Sequence, residues 1–245
     1  MYDAHEVLRT FDDHTIAIVA LSAIALIANY VWYGEMIRIA RRDKVAACAP
    51  ATTLLYLAHD GSYLVLFNHW FGGEYDHWFT KLFFVGIIVT FSLEVVMFSQ
   101  TLRYGRAEYA PRLTQRHFVA AMLAALAAAV ALWAATKSAL GDDIYLFSFT
   151  AAIAWAVPFG AAQMLRRGDG SGTSVLTWAS FTLIGTPWAI CTIAFFGPNF
   201  QTVPWIALCL LCVIGGAVNT WFATHLRRRP TAATADAPRP VAVTA

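Results

Sequence analysis

Charge is what this sequence has least of. Aspartate, glutamate, lysine and arginine make up 13% of its 245 residues and 59% are hydrophobic, about half the charged share usual in a soluble domain, which excludes a soluble globular chain. Also missing are a glycine-rich phosphate loop, a D-D-x-x-D magnesium cluster and an arginine clamp within an apolar run. The last apolar run has no lysine, and Lys44, Lys81 and Lys137 lie at the ends of others, which excludes a retinal Schiff base. A net charge of +2 gives no reason to expect nucleic acid. The four cysteines, Cys48, Cys191, Cys209 and Cys212, lie in or beside apolar runs, where they behave as small apolar residues. The C-x-x-C spacing of Cys209 and Cys212 lacks the polar, accessible setting and the further ligands that redox or zinc chemistry needs. No strong G-x-x-x-G pattern marks a self-association face, which leaves the oligomeric state open. No metal and no cofactor is expected.

What is there is a succession of apolar runs. Crossing a bilayer takes roughly 20 predominantly apolar residues, and seven stretches qualify: Thr15 to Ile39, Val45 to Phe67, Phe79 to Leu102, Phe118 to Leu140, Ile144 to Leu165, Val175 to Phe196 and Val203 to Leu226. The expectation is an all-α membrane protein with one seven-helix domain, residues 1–226. A tail, residues 227–245, has an Ala, Pro and Thr content that reads as disorder. Basic residues gather after the first, third, fifth and seventh runs, at Arg38 to Lys44, Arg103 to Arg116, Arg166 and Arg167, and Arg227 to Arg229. By the positive-inside rule these ends are cytoplasmic, so the amino terminus lies outside and the carboxyl terminus inside. The first apolar run follows an acidic segment with Asp3, Glu6, Asp12 and Asp13, which argues against a cleavable signal peptide. In the connection Asn68 to Trp78, His69, Glu74, Asp76 and His77 could chelate a divalent ion, but Trp70 and Trp78 favour an interfacial loop in the aromatic belt.

Against this background two acids stand out. Asp60 and Glu94 each sit inside an apolar run, at a cost of roughly 2.5–3.5 kcal/mol for an acidic side chain at mid-membrane, so such residues usually face a bundle interior and mark a proton, ion or substrate site. Both are candidate catalytic groups, with Asp60 expected to donate a proton. Counting about 1.5 Å per residue from the cytoplasmic end of each run, Asp60 and Trp188 sit near ~21 Å, Asn29, Tyr56 and Trp155 near ~15 Å, and Glu94, Trp32 and Asn219 near ~10 Å. That arithmetic offsets the two carboxyls by about 10 Å, too far for a shared proton. Asn29 and Asn219 could bond a carboxyl or ligand, and Trp32, Tyr56, Tyr63, Trp155 and Trp188 could offer π faces. Each of these aromatics could equally be bundle filling. His59 reads as packing, Glu35 as a snorkelling partner of Arg38 or Arg41, and Gln163 as a structural residue at a turn. A weak internal repeat lays Tyr33-Gly34 over Phe159-Gly160 and Asp60 over Thr186, leaving the Ala-rich fourth run unmatched. Two three-helix halves joined by one helix would enclose a cavity near mid-membrane.

The run Gln163-Met164-Leu165-Arg166-Arg167-Gly168, followed by Gly172-Thr173-Ser174, Trp178, Ser180 and Gly185, resembles the Q-x-L-x-R-G-x-x-x-G-[AT]-S-x-x-x-W-x-S signature of the integral membrane terpene cyclases. These are the seven-helix enzymes of paxilline- and pyripyropene-type indole terpenoid and meroterpenoid pathways, with a bacterial branch. Asn29-Tyr30, the basic turn, Pro50 and His59-Asp60-x-x-Tyr63 resemble that family's N-Y and W-E-x-x-Y segments. The resemblance implies protonation of an epoxide or alkene on a lipophilic prenylated substrate and cyclisation without loss of diphosphate, in a bacterial cytoplasmic membrane. Asp60 matches the family's second-helix acid. The family's last-helix acid, within a D-G-S-Y-like run, is absent from Gly215 to Asn219, while D-G-S-Y itself stands at Asp60 to Tyr63. Glu94 or Asn219 is left to take the second role. A PQ-loop or SWEET-like small-solute transporter shares the seven spans, orientation and three-plus-one-plus-three build, but Phe159 follows Pro158 where that family has Gln. A purely structural membrane scaffold would leave Asp60 and Glu94 unexplained.

Overall fold

The computed structural model describes residues 2–228. The tail expected to be disordered lies outside the described residues from 229 onward, and residues 227 and 228 still belong to the last helix. The described residues form helices and their connections. The acidic amino-terminal segment, read from sequence only as topological charge, is a helix, α1 (Ala4–Asp13). Asp3 caps it, its carboxylate accepting from the His5 and Glu6 amides at 2.9 and 3.0 Å, as N-cap acids do. Ala4, Val7, Leu8 and Phe11 recur at helical spacing on its buried face. Phe11 is wedged 4.4 Å from both Phe79 and Phe196. Asp12 ties the end of α1 down, accepting from the Trp78 indole at 2.7 Å and from His77 at 3.0 Å. The Trp78 bond, and then His77, hold its carboxyl below the usual carboxylate range against a smaller opposing effect of desolvation.

Next come α2 (Thr15–Asp43), α3 (Pro50–Val65), the short α4 (Phe67–Trp70), α5 (Trp78–Tyr104), the short α6 (Arg106–Tyr109), α7 (Gln115–Leu140), α8 (Leu146–Arg167), α9 (Val175–Phe195) and α10 (Val203–Arg228). Six of these, α2, α5, α7, α8, α9 and α10, are long and apolar enough to cross a membrane. The exception corrects the second expected span. Helix α3 does not begin at Val45 but at Pro50, which occupies its first turn, where proline's missing N–H costs nothing and its fixed φ suits a helix. Proline also disfavours helix in the residue before it, and Ala49 is extended. The 16 residues of α3 span about 24 Å, less than the ~30 Å of a hydrocarbon core. Buried residues on both its sides, from Thr52 to Tyr63, make it the inner helix.

The helix pairings come in matched sets. Helix α2 packs on α9 as α8 packs on α3; α3 on α5 as α9 on α10; and α2 on α5 as α8 on α10. Helix α7, buried only at Phe118, Met122 and Trp133, covers α3 from outside. Asp142 is fully buried. It accepts the Phe147 and Ser148 amides at 3.2 and 2.6 Å at the start of α8 and takes the Tyr2 hydroxyl.

At the basic end, the residues of the Gln163-to-Trp178 run act as a clamp. Gln163 donates to the Ala46 carbonyl at 2.8 Å and to the Tyr109 hydroxyl at 2.7 Å. Arg167 donates to the same carbonyl at 2.7 Å and to Glu108 at 2.6 and 2.9 Å. Trp178 donates to Thr173 at 3.0 Å. Glu35 takes a bidentate bond from Arg38, 2.7 Å on each arm, and the Ser174 hydroxyl at 2.7 Å. The signature-like residues therefore hold the α8–α9 turn against the turn between α2 and α3, the structural role anticipated for Gln163.

Candidate functional site

Three helices bring their buried polar groups to one level. Asp60 is ten residues from the start of α3, Glu94 ten from the end of α5, and Tyr33 ten from the end of α2, each about 15 Å from the basic end. The expected 10 Å offset between the carboxyls is therefore wrong. Counting from Val45 instead of Pro50 had raised Asp60 by five residues, and the remaining error came from the other helix end. The two carboxyls share one cavity and interact directly.

The hydrogen bonds of the pair are unequal. Asp60 Oδ1 meets His59 Nδ1 at 2.7 Å, and Oδ2 meets the Thr90 hydroxyl at 2.5 Å. Glu94 Oε1 accepts from the Tyr33 hydroxyl at 2.6 Å, while Oε2 has no hydrogen-bond partner. His59, Asp60 and Glu94 are all buried. The His59 ring lies against Trp133, Tyr145 and Phe149, with centroids 5.1, 5.5 and 5.8 Å away. Ser62 fixes the helix behind it: its hydroxyl bonds the His59 carbonyl at 2.7 Å and receives the Trp133 indole at 2.8 Å and the Tyr145 hydroxyl at 3.1 Å. Of the D-G-S-Y run, then, Asp60 faces the cavity, Ser62 ties α3 to α7 and α8, and Tyr63 faces away.

Two chambers meet here. The polar one, about 40 Å³, is walled by the Asp60, Glu94 and His59 groups together with Asn29, Trp32, Tyr33, Tyr56, Thr90, Phe149 and Phe181. It has room for a water or two, or for one small functional group. The apolar one, about 240 Å³, lies between α2 and α5 and is closed at the back by Phe149, Ile184 and Trp188. Asn29, Thr90, Phe149 and Ile184 line both, so the chambers adjoin. Val19 and Leu82, both exposed, also line the apolar one, which puts its mouth on the outer flank of the bundle.

Buried polar atoms in native proteins are nearly always hydrogen-bonded, so those that are not call for a reason. Among the described residues, seven buried side-chain atoms lack a partner: Ser22 Oγ, Trp32 Nε1, Thr52 Oγ1, His59 Nε2, Glu94 Oε2, Gln100 Oε1 and Ser148 Oγ. Four of them, on Ser22, Trp32, His59 and Glu94, belong to residues lining these chambers. The cavity wall thus carries donor and acceptor atoms without partners.

Of the sequence candidates, Asn29, Trp32, Tyr56, Asp60 and Glu94 line the polar chamber and Trp188 the apolar one. Trp188 is therefore not at the level of Asp60, and its indole is bound to Thr150 at 2.7 Å. Three candidates line neither chamber. Trp155 is 45% exposed on the outer face of α8, against Phe159. Tyr63 stacks on Trp70 at 4.4 Å and donates to the Thr80 carbonyl at 3.0 Å. Asn219 donates to the Val157 carbonyl at 3.1 Å, tying α10 to α8 just before Pro158. Sequence reasoning missed Tyr33 and Thr90 and set His59 aside. A signal was available: Asn29/Tyr33, Tyr56/Asp60 and Thr90/Glu94 are all i,i+4 pairs, which places each pair on one helix face.

The loop groups considered as chelators are committed elsewhere: His77 to Asp12, Asp76 to Lys81 and the Gly72 amide, and Glu74 to His5. Among the described residues no group of three or more His, Cys, Asp or Glu could hold a metal ion. No family model, curated protein or solved structure matches this chain.

Proposed function

We propose that this chain is a membrane-embedded terpene cyclase, which protonates an epoxide or alkene of a lipophilic prenylated substrate and closes its chain into rings without losing diphosphate. The observation that carries the reading is the junction of the two chambers: an acid pair in a space fit for one functional group, opening into an apolar space fit for a prenyl chain. In this reading α3, together with α4, is the seventh span. The amino terminus is outside, and the matched helix pairings reflect two three-helix halves joined by α7. The mouth between α2 and α5 then faces lipid, where a prenylated substrate partitions, in a bacterial cytoplasmic membrane. The resemblance of the Gln163-to-Trp178 and His59-to-Tyr63 segments to the cyclase family points the same way.

The chemistry follows from the wall. A carboxylic acid positioned at a reacting atom can serve as general acid. Protonating an epoxide oxygen, or an alkene carbon, leaves a cation that the chain's own double bonds attack in turn. The π faces of Trp32, Tyr56, Phe149 and Phe181 attract that cation, and the apolar lining excludes the water that would quench it. The bare Trp32 N–H is a donor for a substrate oxygen. Reactant and product have the same mass, and no cofactor is called for.

The test uses membranes with and without the chain, incubated with a panel of prenylated aromatics and their terminal epoxides. Isomers of unchanged mass are expected only where the chain is present. If folded, abundant protein yields none across the panel, the cyclase reading fails, and solute uptake into liposomes tests the transporter reading in its place.

A further inference from the structure

We infer that the proton donor is Glu94 and that His59, oriented by Asp60, is the base that ends the reaction. This rests on the cyclase reading above and reverses the role expected of Asp60 from sequence. Both Asp60 oxygens already hold a hydrogen-bond donor, His59 at Oδ1 (2.7 Å) and Thr90 at Oδ2 (2.5 Å). Glu94 differs: Oε1 takes the Tyr33 hydroxyl at 2.6 Å, and Oε2 receives no N–H or O–H donor. A buried carboxylate oxygen without a donor is costly, and two carboxylates sharing one site cannot readily both be charged. The proton shared by the pair therefore resides on Glu94 Oε2, with the Asp60 carboxyl as its neighbour until a substrate oxygen takes it.

The same accounting assigns His59. Its Nδ1 lies on a carboxylate, which makes Nδ1 the donor and fixes the tautomer. That leaves Nε2 with a free lone pair, and it has no partner in a residue that lines the chamber. An imidazole whose Nδ1 is held by a carboxylate presents Nε2 as its acceptor. Asp60 is thus a positioning residue, and the groups that touch substrate are Glu94 and His59.

For an epoxide the turnover balances without an outside reagent. The Glu94 Oε2–H bond breaks and the epoxide oxygen gains the proton as its C–O bond opens. Successive alkene electron pairs become C–C bonds. A C–H bond beside the last cation gives its electron pair to a new C=C and its proton to His59 Nε2. Once product has left, the imidazolium returns that proton to Glu94 through a water in the ~40 Å³ chamber, so no proton is gained or lost.

Removing a donor stops the reaction, whereas removing a terminal base lets the cation form and end differently. Wild type, Glu94→Gln, Glu94→Asp, His59→Gln and Asp60→Asn are compared in membranes at equal amounts of folded protein, with substrate consumption and product identity measured separately. Glu94→Gln should lower consumption at least 100-fold. Glu94→Asp should recover part of the consumption with the wild-type product, which also covers a Glu94→Gln protein that does not fold. His59→Gln should still consume substrate within about tenfold of wild type, but yield alkene isomers of different double-bond position or water-quenched alcohols 18 mass units heavier. Asp60→Asn should shift products the same way. The assignment is overturned if Asp60→Asn abolishes consumption while Glu94→Gln does not, or if His59→Gln gives an unchanged product. A wild type that makes no isomer sinks the cyclase reading itself, a result none of the variants can mimic.

Discussion

On the cyclase reading, replacing Gly86 with leucine will cut kcat/KM for the longest accepted prenyl chain by about 100-fold and leave a chain one isoprene unit shorter nearly unaffected. Gly86 lies on the α5 wall of the apolar chamber, and a Cβ built there would meet Leu26 at 3.6 and 3.9 Å, ordinary contact. Alanine should therefore be harmless, whereas the leucine branches reach into a space of only about 240 Å³. Burying one CH2-sized group is worth roughly 0.8 kcal/mol, so expelling about four of them costs ~3 kcal/mol, or about two powers of ten in rate. Steady-state kinetics on a series of chains differing by one unit checks this. An equal loss at every length would mean that the chamber does not hold the chain.

The second large effect concerns stability. Gly160→Ala should destabilise the bundle by about 1–3 kcal/mol, the usual cost of overpacking, and toward the upper end. Its added Cβ would lie 2.1 and 2.2 Å from ring atoms of Trp178, and that indole is buried and held to Thr173. The control is built into the chain, because the internal alignment sets Gly34 opposite Gly160. Gly34 is exposed and has nothing within 4 Å of its Cβ position, so Gly34→Ala should stabilise by up to ~1 kcal/mol through helix propensity alone. Thermal unfolding in detergent compares the two. A Gly160→Ala protein as stable as wild type would show that α8 and α9 do not meet as described.

Most of the helices could be read from sequence because an apolar run of 20 or more residues has few alternatives to a buried helix. The reading failed where apolarity and helix part company. Val45 to Ala49 are apolar enough to extend the second run, but Pro50 sets the start of α3, and the five-residue error carried straight into the depth of Asp60. The two acids were legible because charge in such surroundings is rare and expensive. Their neighbours were harder. Trp155, Tyr63 and Asn219 have the right chemistry and depth, and only the rotation of each helix, set by packing, decides that they face lipid or other helices. Near the span ends, the Asp142 carboxylate is a buried cap and Asp3 an exposed one. Nothing in a charge count separates those uses.

The most direct test of the account uses purified protein in vesicles with a prenylated aromatic epoxide and no added cofactor, comparing wild type with the double variant Asp60→Asn/Glu94→Gln. The wild type should form an isomer of unchanged mass, and the double variant, folded in equal amount, should lose at least about 10³-fold of that conversion, within the range attributed to a positioned acid and base. Equal conversion by the two proteins would contradict a proton-transfer site between α3 and α5.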